Sequence, residues 1–205
     1  MKKALIVVDL QNDFCRNGAL EVPDANAVIA LTNALMPKFD LVVATQDWHP
    51  ADHGSFAANH PWRKPGQLIE LDGLSQILWP IHCVQNTYGA EFVKELDITK
   101  FHKVFRKGTD VNIDSYSGFF DNGHRKATGL GDYLTAEGVT DVYVLGVATD
   151  YCVKFTALDA AALGFTTFLI TDASRGVNIQ PDDVANALTE MHEKGVKMVE
   201  TKHIT

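Results

Sequence analysis

Cysteine is scarce in this chain. The three copies, Cys15, Cys83 and Cys152, are odd in number and share no paired spacing. A disulfide framework is therefore not expected, and a reducing cytoplasm is the expected compartment. Long hydrophobic runs are missing too: nothing approaches the ~20 apolar residues of a membrane-spanning helix. The opening MKKALIVVDLQNDF carries two lysines and an apolar stretch that ends at Asp9. That stretch, only about six residues, is too short for a secretory leader, and a first buried strand accounts for it. Positive charge is in deficit, with 18 Lys and Arg against 26 Asp and Glu and a formal net charge of −8. This balance opposes generic binding to nucleic acid or to an anionic membrane, and no basic run marks a DNA footprint. Repeats, low-complexity tracts and long linkers are absent as well.

What remains is a globular composition, 46% hydrophobic and 21% charged. Its 205 residues fit one domain, 1–205, long enough to bury a core without disulfide staples. Apolar runs alternate with helical patterns along it. Strands are expected at Lys3–Leu10, Asp40–Thr45, His102–Arg106, Asp141–Val147, Phe165–Thr171 and Val196–Glu200. Helices are expected at Pro23–Pro37 with Asp24 as cap, at His124–Glu137 before Gly138, at Asp150–Leu163 before Gly164, and at Pro181–Lys194. Strands apolar throughout, alternating with helices, predict an α/β fold: three α/β/α layers around a central, mostly parallel six-stranded sheet. Sites in such sheets form outside the carboxyl ends of the strands. Asp9, Asp47 with His49, Lys107 and Cys152 all fall at strand ends. The 48–101 region has weak periodicity and many Pro, His and Gly residues; an irregular stretch of that length in a compact domain is usually functional.

Cys152 lies in GVATDYCVKFTALDAA, residues 146–161, in the first turn of a helix expected to begin near Thr149 or Asp150. Amides and the positive dipole end at such a turn stabilise a thiolate. They also donate to the oxyanion formed when an acyl group is attacked. A buried structural cysteine is the competing reading. A nucleophilic thiol needs a base and a countercharge: Asp9 can take its proton and Lys107 can hold negative charge. Taken singly, Asp9 also reads as a turn residue, and Lys107 as a solvated member of a basic patch with Lys103 and Arg106.

A second constellation is TQDWHPADHGSF, residues 45–56, followed by WPIHC, residues 79–83. Asp47 and His49 are two apart, so an extended segment points both to one side. His82 arrives from a separate loop. One carboxylate and two imidazoles leave open positions that suit a divalent metal, Zn, Fe or Mn. His53 could also be a fourth ligand or a water-bridged outer group, but His53, His60 and His124 are all read first as loop residues filling polar corners.

Together these segments resemble the nicotinamidase/pyrazinamidase branch of the isochorismatase-like cysteine hydrolases. The matching pieces, in family order, are ALIVVDLQNDF, ATQDWHP, WPIHCV, FRKGTD and GVATDYCVKFTALDA, and they span almost the whole chain. The resemblance implies the isochorismatase-like hydrolase fold and a catalytic triad of Asp9, Lys107 and Cys152. It implies an oxyanion hole from the Ala148 and Cys152 amides, beside a Val147–Ala148 peptide that is cis in the family. It implies Asp47, His49 and His82 as ligands of one divalent metal, Zn before Fe or Mn, and Phe14, Trp79 and Tyr116 as the ring pocket. The implied activity is hydrolysis of nicotinamide to nicotinate and ammonia through a Cys152 thioester, in NAD salvage, with pyrazinamide as a further substrate. The DWHPADH spacing departs from some relatives, which leaves the role of His53 open and makes Ser55 and Glu70 candidate outer groups. Another amidohydrolase of the superfamily, acting on a carbamoyl or ureido substrate, is the alternative; a non-enzymatic metal-binding protein on the same fold stands behind it. A homo-oligomer is compatible with the sequence, which does not set oligomeric state.

Overall fold

The computed structural model of the protein describes residues 2–204. Its frame is one six-stranded sheet. Strands β1 (Lys2–Val8), β2 (Leu41–Asp47), β5 (Lys103–Lys107), β6 (Val139–Val147), β7 (Thr166–Arg175) and β8 (Lys197–Val199) lie in the order β5-β2-β1-β6-β7-β8. Every pairing in it is parallel. Helix α1 (Asn26–Leu35) covers one face; α2 (Leu130–Ala136), α3 (Lys154–Ala162) and α4 (Asp183–Glu193) cover the other. The expected three layers are therefore present, with the sheet parallel throughout.

β1 shows why. Its side chains alternate between faces. Leu5 and Val7 pack into the core under α1 with Val28, Ile29 and Leu35. Ala4, Ile6 and Val8 pack into the opposite core with Leu130, Leu134, Ala157 and Met191. A strand with both faces dry must be apolar throughout, and each fully buried Val, Leu or Ile contributes roughly 1.5–3 kcal/mol. Among the described residues no helix is long and apolar enough to cross a membrane.

Three local expectations are corrected. The helix expected from His124 begins only at Leu130, because the Asp121 carboxylate accepts from the Gly123 and Arg125 amides and holds that stretch in a turn. Asp24 does not cap α1: no side-chain cap bond is made there, and Asp24 has φ +57. The segment before α3 is not an α-turn. Thr149–Val153 forms a wider π-turn, in which the Tyr151 and Val153 amides both donate to the Ala148 carbonyl at 3.0 Å. One element was not expected, although its Asp72-Gly73 turn, at φ +48 and +79, is a hairpin signal. Within the irregular region, β3 (Leu68–Leu71) and β4 (Leu74–Ile77) form an antiparallel hairpin apart from the main sheet.

Candidate active site

Asp47 and Lys107 are register partners at the ends of neighbouring strands β2 and β5, so the sheet itself sets them side by side. The Lys107 Nζ lies 2.5 Å from Asp47 Oδ1 and 2.9 Å from Asp9 Oδ2. It also donates to the Ser115 carbonyl at 3.0 Å and to the Cys152 Sγ at 3.3 Å. One fully buried ammonium thus touches two carboxylates and the thiol. Asp9 is fully buried at the end of β1 with φ +50, and Thr45 Oγ1 donates to its Oδ1 at 2.6 Å. Its Oδ2 is paired with Lys107 by charge but lacks an aligned hydrogen bond, which leaves a lone pair for the thiol it faces.

The electrostatics follow from burial and this shared cation. Burial alone would lower Lys107, but Asp47, Asp9 and Cys152 outweigh it and hold the ammonium charged well above its ordinary range. Burial would raise Asp47, yet Lys107 and His49 hold its carboxyl well below the usual range. For Asp9 burial prevails over Lys107, and its pKa is raised. Burial, with Asp9 and Asp47 adding to it, pushes the Cys152 thiol well up against the opposing pull of Lys107. The resting group is therefore a thiol beside a base, rather than the standing thiolate that a helix terminus alone would favour.

The second cluster adjoins the first through Asp47. His49 Nε2 lies 3.6 Å and His82 Nε2 3.8 Å from Asp47 Oδ2. Both rings are turned by backbone carbonyls: His49 Nδ1 bonds Gly108 O at 2.9 Å and His82 Nδ1 bonds Pro80 O at 2.8 Å. With each Nδ1 hydrogen donated outward, both Nε2 atoms face the carboxylate, the orientation of metal-ligating histidines; burial would lower His49, but the Asp47 charge outweighs it and raises its pKa. One donor atom from each of the three lies within 4.8 Å of the others. Burial and the neighbouring His49 push His82 down to about 4, so its ring is neutral at pH 7, the form that ligates metal. Gly108, at φ +62, is needed here because a Cβ would collide with the His49 ring. The backbone ties the His49 and His82 segments together, with His49 N donating to Cys83 O and Gln85 N to His49 O. Gln11 clamps Asp47 from the other side, accepting from its amide and donating to its carbonyl at 2.8 Å each.

His53 is fully buried, and its ring lies 4.4 Å from that of His49. Its Nδ1 receives the Ser55 amide at 3.2 Å and meets Ser55 Oγ at 2.7 Å. Because the amide can only donate, Nδ1 is the acceptor, and the neutral ring carries its hydrogen on Nε2. That Nε2 is buried with no aligned partner, the nearby Ile113 carbonyl included. His53 so presents a donor, with Ser55 fixing its tautomer. Glu70 is exposed on β3 and takes no part in the cavity lining.

A cavity opens onto both clusters. Phe14, Trp79, Tyr116, Ala148 and Cys152 line it together with Asp47, His49 and His82. The Val147–Ala148 peptide is cis. The sequence reading missed Asp114, Tyr151, Leu20 and Val177, which also line the cavity. Asp114, seven positions beyond Lys107 in a loop, carries no periodic signal. Val177 is placed by Asp150, whose carboxylate accepts from the Val177 and Asn178 amides at 3.0 and 2.7 Å.

Known proteins share this fold. The family model described as the isochorismatase domain matches residues 3–203. A nicotinamidase of Escherichia coli K12 is 49% identical over 203 residues, covering 96% of this chain and 93% of that relative. A solved nicotinamidase/pyrazinamidase of Acinetobacter baumanii superposes with a TM-score of 0.97 at 46% identity, covering 100% of this chain and 98% of the other. A pyrazinamidase of Pyrococcus horikoshii, solved in complex with zinc, superposes with a TM-score of 0.80 at 41% identity, covering 98% and 99%. A match of that length, on a wholly parallel sheet carrying a thiol, a carboxylate and a shared lysine at its strand ends, places this chain in the isochorismatase-domain family.

Proposed function

We propose that the chain, read as one domain over 1–205, is a nicotinamidase that converts nicotinamide to nicotinate and ammonia and also accepts pyrazinamide. The observation that carries this is the single buried Lys107 ammonium, which touches the Cys152 thiol, the Asp9 base and the Asp47 carboxylate at once. It couples an amide-cleaving centre to a ligand cluster at the wall of an aromatic-lined cavity.

In this reading Asp47, His49 and His82 hold one divalent metal, zinc in the first instance, which when bound supplies a Lewis-acidic position for a ring nitrogen. Phe14, Trp79 and Tyr116 confine a flat ring, so that the carboxamide meets Cys152 in a fixed orientation and part of the entropic barrier is removed in advance. Asp9 takes the thiol proton as Sγ bonds to the amide carbon. The Ala148 and Cys152 amides receive the developing oxyanion; one such donor is typically worth about 3 kcal/mol. Asp9 returns the proton to the departing nitrogen, and ammonia leaves a thioester on Cys152. Asp9 then takes a proton from water as its oxygen attacks the thioester, and nicotinate departs as the thiol is restored. Lys107 balances the negative charge of Asp9 and of sulfur throughout. His53, with its donor on Nε2, serves as an outer hydrogen-bonding group rather than a fourth ligand.

Ammonia release from nicotinamide by the purified, zinc-supplemented protein is the direct test. Turnover is expected for nicotinamide and pyrazinamide. Turnover of a ureido substrate with none of nicotinamide would replace this reading with that of a carbamoyl amidohydrolase.

A further inference from the structure

The hairpin β3–β4 carries one well-buried side chain, Gln76, at 3% exposure. Two short strands on their own are marginal in water, so what this side chain grips matters. Its Nε2 faces the Ile77 carbonyl at 2.7 Å, the Asp114 carboxylate at 3.1 Å and the Tyr116 hydroxyl at 3.2 Å. A carbonyl and a carboxylate can only accept, which settles which end of the amide points there. Trp79 Nε1 donates to the same Tyr116 hydroxyl at 3.1 Å. The two amide hydrogens are shared among these three acceptors, and the Tyr116 hydroxyl oxygen accepts from Trp79 while lying against the Gln76 amide. The Tyr116 ring is held in turn by Phe155, stacked at 5.5 Å, and by the edge of Tyr151 at 5.4 Å. Tyr116 and Asp114 both line the cavity beside Cys152. An amide from a segment outside the main sheet therefore fixes two groups of the cavity wall without lining the cavity itself.

We propose that Gln76 is a positioning residue that sets the fit of the pocket for a flat heteroaromatic amide by holding Tyr116 and Asp114 in place. This rests on the nicotinamidase reading. Gln76 touches neither the Asp9–Lys107–Cys152 group nor the proposed metal ligands, so its loss acts on substrate fit rather than on the bond-breaking step.

The test compares Gln76→Met, which keeps volume but removes both donors, with Tyr116→Phe and the double variant, all as the full chain loaded with zinc. The expected result for Gln76→Met is a KM for nicotinamide about fivefold higher, the scale of a lost neutral hydrogen bond, with kcat within about twofold and metal content unchanged. The double variant is expected to match the weaker single variant, since both break one network. An unchanged KM overturns the proposal, as do KM effects that multiply in the double variant. An equal fall in kcat and kcat/KM, together with a lower Tm, shows a merely structural role and also overturns it. If wild-type protein itself releases no ammonia from nicotinamide, the nicotinamidase reading has failed instead.

Discussion

Lys107 and Asp47 form a buried 2.5 Å ion pair, and this pair joins the Asp9–Cys152 cluster to the histidine cluster. An ammonium so placed neutralises two carboxylates at once. Replacing it by Lys107→Met keeps the stem but leaves Asp9 and Asp47 facing each other unpaired. Breaking a buried pair from one side typically costs 3–5 kcal/mol. We expect a stability loss of about that size in urea denaturation, with ammonia release falling below detection. A variant with wild-type stability would show that Lys107 is not the countercharge of this interior.

Cys152→Ala removes the sulfur without touching the ligand cluster. Metal content by elemental analysis is expected to match wild type, while ammonia release from nicotinamide disappears. Substantial turnover in this variant would sink the nucleophile assignment.

His82→Ala removes one of three converging donors. Bound metal per chain is expected to drop well below wild type after dialysis against a weak chelator. Unchanged metal content would take His82 out of the ligand set. Chelator-stripped wild type is expected to lose nicotinamide turnover and to regain it on addition of zinc.

His53 gives the opposite expectation, since Ser55 holds its lone pair and leaves a donor on Nε2. His53→Ala should retain one metal per chain, bound about tenfold more weakly, the usual effect of losing an outer partner. X-ray absorption of the zinc form should count two imidazoles. Three imidazoles would make His53 a ligand.

The sheet was legible because its strands are wetted on neither face, so β1 reads as an unbroken apolar run, and Gly138 and Gly164 mark helix ends at positive φ. The hairpin β3–β4 was overlooked because it is mostly exposed and its residues follow no clean alternation, although its Asp72-Gly73 turn is a hairpin signal that also sets its register. The late start of α2 was hidden for a related reason. A side-chain carboxylate, Asp121, captures amides that propensity alone would assign to a helix.

The sequence by itself determined the layered fold and which polar residues stand at its strand ends. Strand ends follow from apolar runs, and Asp9, Asp47, Lys107 and Cys152 stand at those ends or just beyond them. Only the tertiary structure decided how these groups act on one another. That Lys107 is shared between Asp9, Asp47 and Cys152 depends on strand order and register, which bring positions 60 and 45 residues apart within hydrogen-bond reach. That Cys152 rests as a thiol depends on its burial, and that His53 offers a proton depends on one amide two residues along. Residue identity is local, whereas charge state and tautomer are set by desolvation and by neighbours that only folding supplies.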